Sequence, residues 1–302
     1  MDSTNILVNL DKKEVINQIN KLSILDNIKS IYILKLLFNN FKKSKHYEII
    51  KYNKRIQKKF NLNIHNFKEY SEKLTPIEID IIPVENIKSK YINIKKKDEL
   101  YYHIYFNNSY EEEIKRYYIE KSDKINNIKI IIDYQILSFN KLFKDCNCIG
   151  SIYFKKFYRN NITDMSYMFF GCSLLKEINL YSFNTTNVID MRNMFSGCTS
   201  LKELNLSNFN TNNVINMYSM FFKCSSLKEL NISNFNFSKT VYMRCMFSFC
   251  SSLKELNISN FNIDNDTLIN HIFFGISEEL EMKLRKKYKN IKEEAFDRLF
   301  IL

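Results

Sequence analysis

The sequence predicts an α/β solenoid, with parallel strands on one side and short helices on the other, after an N-terminal helical and α+β region and before a C-terminal capping helix. Three observations predict it. A 26-residue unit recurs between Ile162 and Asn262, marked by Cys172, Cys198, Cys224 and Cys250. Inside a unit, Val214, Met217, Met220, Phe221 and Cys224 follow the spacing of one helix face. Leu227, Leu230 and Ile232 then follow L-x-x-L-x-L, whose last two members alternate inward on a strand.

Residues 1–75 are predicted helical, from the stripe Val15, Ile16, Ile19, Leu22 and its continuation Ile31, Leu34, Leu37, Phe38. Lys42 to Lys59 is strongly basic, with Glu48 as its only acid. Such a helix could meet nucleic acid or an anionic membrane. Ile49, Ile50, Ile56 and Phe60 give it a core-facing side, and no recognition motif accompanies it, so a solvated helix is the preferred reading.

Residues 76–124 read as a small strand-containing region. Ile77, Ile79 and Ile81 alternate, and Tyr91, Ile92, Ile94 and Tyr101 to Phe106 follow in the same style. Glu111 to Tyr118 is read as a helix. The repeat array is predicted over 125–276. Ile125, Ile128 and Ile130 form its first rung, Cys146 with Ile149 and Ile152 a degenerate one, and Ile269, Ile272 and Phe273 the last. At 277–302 the spacing predicts a covering helix, with Ser277 as its cap and Glu278 and Glu279 in its first turn.

The units 184–206 (NTTNVIDMRNMFSGCTSLKELNL) and 210–232 (NTNNVINMYSMFFKCSSLKELNI) resemble BspA-like leucine-rich repeats. The resemblance implies a leucine-rich repeat scaffold used for adhesion or protein binding, not catalysis. It also implies a cell-surface location. No signal peptide or transmembrane stretch is apparent, however, which favours a cytoplasmic chain.

Hydrophobic content of 45% excludes wholesale disorder, and Asn, Ile and Lys are abundant. No phosphate loop, nucleophile elbow or zinc-protease motif is present, so no enzyme is expected. Five of the seven cysteines share one column, a ladder rather than a converging set, and the four histidines lack ligand spacing; no metal or cofactor is expected.

The candidate site is the outward side of the strands. It comprises Glu177, Asn179 and Tyr181; Glu203, Asn205 and Ser207; Glu229, Asn231 and Ser233; and Glu255, Asn257 and Ser259, flanked by Lys176, Lys202, Lys228 and Lys254. Stacked Glu, Asn and Ser rows make a hydrogen-bonding face for a protein, or a glycan. The alternative is that Asn and Ser only tie one unit to the next. The expected function is a non-enzymatic protein–protein interaction module. The alternatives are a BspA-type surface adhesin and an intracellular adaptor whose N-terminal helices recruit a second partner. Nucleic acid is disfavoured, and oligomeric state is left open.

Overall fold

The computed structural model describes residues 54–59, 76–110, 112–133, 136–157, 159–258, 261, 268–288 and 291–297. The chain divides into two units, Met1–Leu74 and Thr75–Leu302. In the first, Lys54–Lys59 form helix α1. The other helices expected over 1–75 lie outside the described residues.

The second unit starts with antiparallel pairing. β1 (Ile77–Pro83) buries Ile77, Ile79 and Ile81, as period-two alternation requires. It lies between β5 (Ile128–Ile132) and β6 (Ile149–Lys156), antiparallel to both. β3 (Tyr102–Phe106) pairs with the far side of β5. β2 (Ser89–Lys90) and β4 (Tyr118–Ile119) form a separate two-stranded ribbon. β7 (Glu177–Asn179) runs parallel to β6, giving one mixed sheet in the order β3-β5-β1-β6-β7. β8 (Glu229–Asn231) and β9 (Glu255–Asn257) make a second parallel pair.

The expected α/β solenoid with a helix in every unit is not what forms. Among the described residues the only α-helices are α1 and α2 (Glu278–Lys287), and neither lies in a repeat; the rest is mixed β-sheet and turns. The segment expected to be helical is a run of tight turns. Met220, Phe222 and Cys224 each donate an amide to the carbonyl three residues back. The amides between them, of Met217, Ser219, Phe221 and Lys223, go to Tyr242, Arg244, Met246 and Ser248 of the following repeat, at 2.8–2.9 Å.

Two left-handed residues per unit prevent a helix. One column is Lys141, Tyr167, Asn193, Ser219, Cys245 and His271; the other is Asp145, Gly171, Gly197, Lys223, Phe249 and Gly275. Serial turns reproduce the apolar spacing of a helix, which is why the pattern misleads. Gly171, Gly197 and Gly275 meet the demand most directly, with φ of +70°, +76° and +73°.

The core follows the repeat. Phe143, Phe169, Phe195, Phe221, Phe247 and Phe273 stack with neighbouring centroids 5.6–5.8 Å apart. Both ends of the stack are covered. Asn93 donates through its side chain to Lys141 and Lys144 and through its amide to Leu142. At the far end, His271 and Phe273 donate to Glu294 and Ala295, in a 3-10 turn (Glu293–Ala295).

Other expectations are corrected. The first rung at Ile125 to Ile130 is instead largely β5 of the antiparallel sheet, because Ile128, Ile130 and Ile132 bury on period two against β1 and β3. Residues 112–117 are not helical; the Ile114 amide donates to Ile104 and covers the β3 edge. The covering helix ends at Lys287 rather than running towards the C-terminus. Ser277 accepts the Leu280 amide as its cap, and Leu280 and Leu284 are buried.

Candidate interaction surface

The residues proposed from the sequence divide by role. Glu177, Asn179, Glu203, Asn205, Glu229, Asn231 and Glu255 are exposed, Asn257 is half-buried, and Ser259 lies outside the described residues. The asparagines are occupied locally. The side-chain oxygens of Asn179, Asn205 and Asn231 accept the amides of Tyr181, Ser207 and Ser233, closing the turns after β7, after residues 203–205, which form no strand, and after β8. They shape the face. Tyr181 and Ser207 are exposed and Ser233 is half-buried.

What remains outward is charge. Glu229 stands directly beside Glu255 in the β8–β9 register, and Lys254 donates its amide to Lys228 across the same gap. Like charges facing across a ladder are unfavourable. Among the described residues of this half of the chain the ion pairs lie elsewhere: Asp190 with Arg192, Glu279 with Lys283, and Glu281 and Glu293 with Arg285. Glu177 accepts the Tyr153 hydroxyl at 2.8 Å.

Two grooves open on this face. One of about 570 Å³ lies over Lys202, Glu203, Asn205, Lys228 and Glu229. A larger one of about 850 Å³ lies between β8, β9 and α2. Lys254, Lys283, Lys286 and Lys287 rim it against Glu229 and Glu255, over Leu230, Leu256, Leu280 and Leu284. The α2 lysines were missed from sequence. Their signal was the basic run Lys283 to Lys287 beside the Leu280–Leu284 stripe, but nothing in one sequence says which rung a helix covers.

Other asparagines and threonines bind one repeat to the next. The Asn208 amide donates to Leu180, Tyr181 and Phe183, and Asn234 repeats this on Leu206, Ser207 and Phe209. The buried hydroxyl of Thr211 both accepts the Asn236 amide and donates to the Asn236 carbonyl.

The cysteines are packing groups with a donor role. The Cys172, Cys198, Cys224 and Cys250 thiols donate to Phe143, Phe169, Phe195 and Phe221 of the preceding repeat at 3.0–3.2 Å. Burial pushes these thiols up, away from the reactive thiolate. Among the described residues no group of three or more His, Cys, Asp or Glu could hold a metal. His103 lies between Glu113, at 2.5 Å, and Asp133, at 3.6 Å. The carboxylates of Asp133 and Glu113 raise its pKa against the opposing effect of burial.

A protein-family model described as "Mycoplasma protein of unknown function, DUF285" matches residues 137–230 and again 163–287, together half of the chain. The second match starts one repeat after the first. No curated protein and no solved structure matches. The resemblance to BspA-like leucine-rich repeats is thereby overturned: the matching family is a different one, and with it go the leucine-rich repeat scaffold and the adhesion it implied. The misleading signal was L-x-x-L-x-L, which any repeat that buries one residue within a three-residue strand and another just after it will carry.

Proposed function

Since the chain belongs to the family described as Mycoplasma protein of unknown function, DUF285, we propose from its geometry that it is a non-enzymatic protein-binding module working through the Glu and Lys rows of residues 176–257. The supporting observation is the stacking of like charges in register, Glu229 beside Glu255 and Lys228 beside Lys254. The two rows are exposed and opposite in sign, so a partner with complementary charges can pair along both. The grooves above Glu229 and Asn231 give the partner a recess. No described helix is long and apolar enough to cross a membrane.

The test is a capture experiment from the native cell with the full chain and with the triple variant Glu203→Lys, Glu229→Lys, Glu255→Lys. These positions are exposed, so circular dichroism and melting should hold. The expected result is a protein that the wild type retains, the variant loses, and raised salt elutes. Identical recoveries by the two baits would reject this face. Asparagine substitutions are unsuitable here, since they would open the turns that shape the strand ends.

A further inference from the structure

A second exposed row lies on the bend before the serial turns, apart from the grooves above. Ile189, Ile215 and Val241 are each 39–46% exposed on successive repeats, Tyr218 and Tyr242 flank them at 40% and 45%, and Leu268, 43% exposed, follows Tyr242 in the adjoining column. Scattered apolar residues on a surface need no explanation, but a contiguous row does.

The backbone of the row is already satisfied. The Ile215 amide donates to Ile189, Val241 to Ile215 and Leu268 to Val241, each at 2.9 Å. Parallel bridges Asp190–Asn216–Tyr242–Leu268 hold the repeats at the usual strand spacing of about 4.8 Å. Along these described residues no unpaired edge is offered to an added strand, and side chains are what a partner meets.

Over the three repeats that carry Ile189, Ile215 and Val241 the exposed charge is positive; Asp164, bridged to Asp190, lies at one end, and Asp264 and Asp266 precede Leu268 in the sequence. Arg192, Lys239 and Arg244 are exposed around the row. Asp190 is the only carboxylate in the three stretches 186–194, 212–220 and 238–246, and Arg192 holds it at 3.2 Å. A second copy of the chain would bring the same surplus positive charge, which opposes self-association through this face. An extended partner of negative charge, with an apolar layer behind the charge, complements it.

We propose that this face docks on an anionic lipid surface. Ile215, Val241 and Tyr242 enter the headgroup boundary, while Arg192, Lys239 and Arg244 meet the lipid phosphates. Tyrosine suits that depth because its ring is apolar and its hydroxyl stays hydrated. The protein-binding face lies on other residues, so the two readings stand or fall separately.

The chain contains no tryptophan, which gives a site-specific probe. Tyr242→Trp places the sole indole on the proposed face. Tyr181→Trp places it on the strand face, at a position 84% exposed. Each full-length variant is mixed with vesicles of phosphatidylcholine plus phosphatidylglycerol, or of phosphatidylcholine alone, with brominated acyl chains as quencher. The expected result is a blue shift and quenching of the Tyr242→Trp protein with anionic vesicles only, reversed by high salt, and no response from Tyr181→Trp.

Adding Ile215→Asp to Tyr242→Trp should weaken partitioning at least tenfold with circular dichroism unchanged. An unquenched indole in Tyr242→Trp overturns the proposal, including the outcome in which the face serves an acidic protein instead. Equal quenching of Tyr181→Trp overturns it as well. So does undiminished binding by the Ile215→Asp variant, which would place attachment on lysines elsewhere.

Discussion

Arg159 offers the sharpest test of how the antiparallel sheet is joined to the repeats. It stands one repeat before Thr185 and two before Thr211, and it is fully buried. Its guanidinium donates to Ile136 at 3.0 Å, Ile132 at 3.1 Å and Asp133 at 2.9 Å, the carbonyls at and just beyond the end of β5. Burial pulls its pKa down to about 10, so holding the charge there has a cost that the three bonds offset.

Arg159→Met keeps an unbranched side chain and removes all three donors. Each buried carbonyl left without its partner costs about 1–3 kcal/mol. Losing the buried cation returns part of its desolvation. The expected net loss is about 3 kcal/mol, which lowers the urea midpoint by roughly 1 M at a slope of about 3 kcal/mol/M. Arg159→Lys, with one compact ammonium, should fall between the two. The assay is urea unfolding followed by far-ultraviolet circular dichroism. A loss below about 1 kcal/mol for Arg159→Met would refute the joint, because it would mean the carbonyls are satisfied without the guanidinium.

Three further outcomes follow from the contacts between repeats. Cys224→Ala should cost about 2 kcal/mol, from the lost bond to Phe195 and the void left by sulfur, whereas Cys224→Ser keeps a donor and should lose less; a serine variant less stable than the alanine one by urea unfolding would remove the donor role. Asn234→Ala strips partners from Leu206, Ser207 and Phe209 and should cost about 2 kcal/mol, with faster amide exchange confined to the repeats on either side. His103 has a folded pKa raised above its ordinary 6.5, so its stabilising contribution is complete below pH 6.5 and fades as pH rises through the raised value. His103→Gln should flatten that part of the stability–pH curve, and a slope unchanged in the variant would assign the dependence to another group.

The repeat was legible because identity at a period of 26 residues needs no structure to be seen. The inward columns were legible too: Met165, Met191, Met217 and Met243 are fully buried, as are Leu175, Leu201, Leu227 and Leu253. The secondary structure of the repeat was not. Val214 to Cys224 has helical spacing, but whether an amide bonds within its own turn or to the next repeat depends on a neighbour a full unit away. The local clue was Gly171, Gly197 and Asn193, residues tolerant of left-handed backbone in the two columns that need it. Lys223 and Phe249 stand in the same columns, and they hid it.

The candidate face shows the same division. Composition and spacing were enough to set Glu203, Asn205 and Ser207 on the outward side of their unit. Only the fold separates them, since the Asn205 oxygen accepts the Ser207 amide while Glu203 is exposed and makes no ion pair among the described residues. The α2 lysines join the groove because Leu280 and Leu284 are buried beside β8 and β9. By itself the sequence determined that units stack and which side chains they bury, because burial follows a pattern of residue types. Tertiary structure decided how the backbone of each unit is satisfied and what the surface presents, because hydrogen bonds between repeats and charges in register exist only once the neighbours are in place.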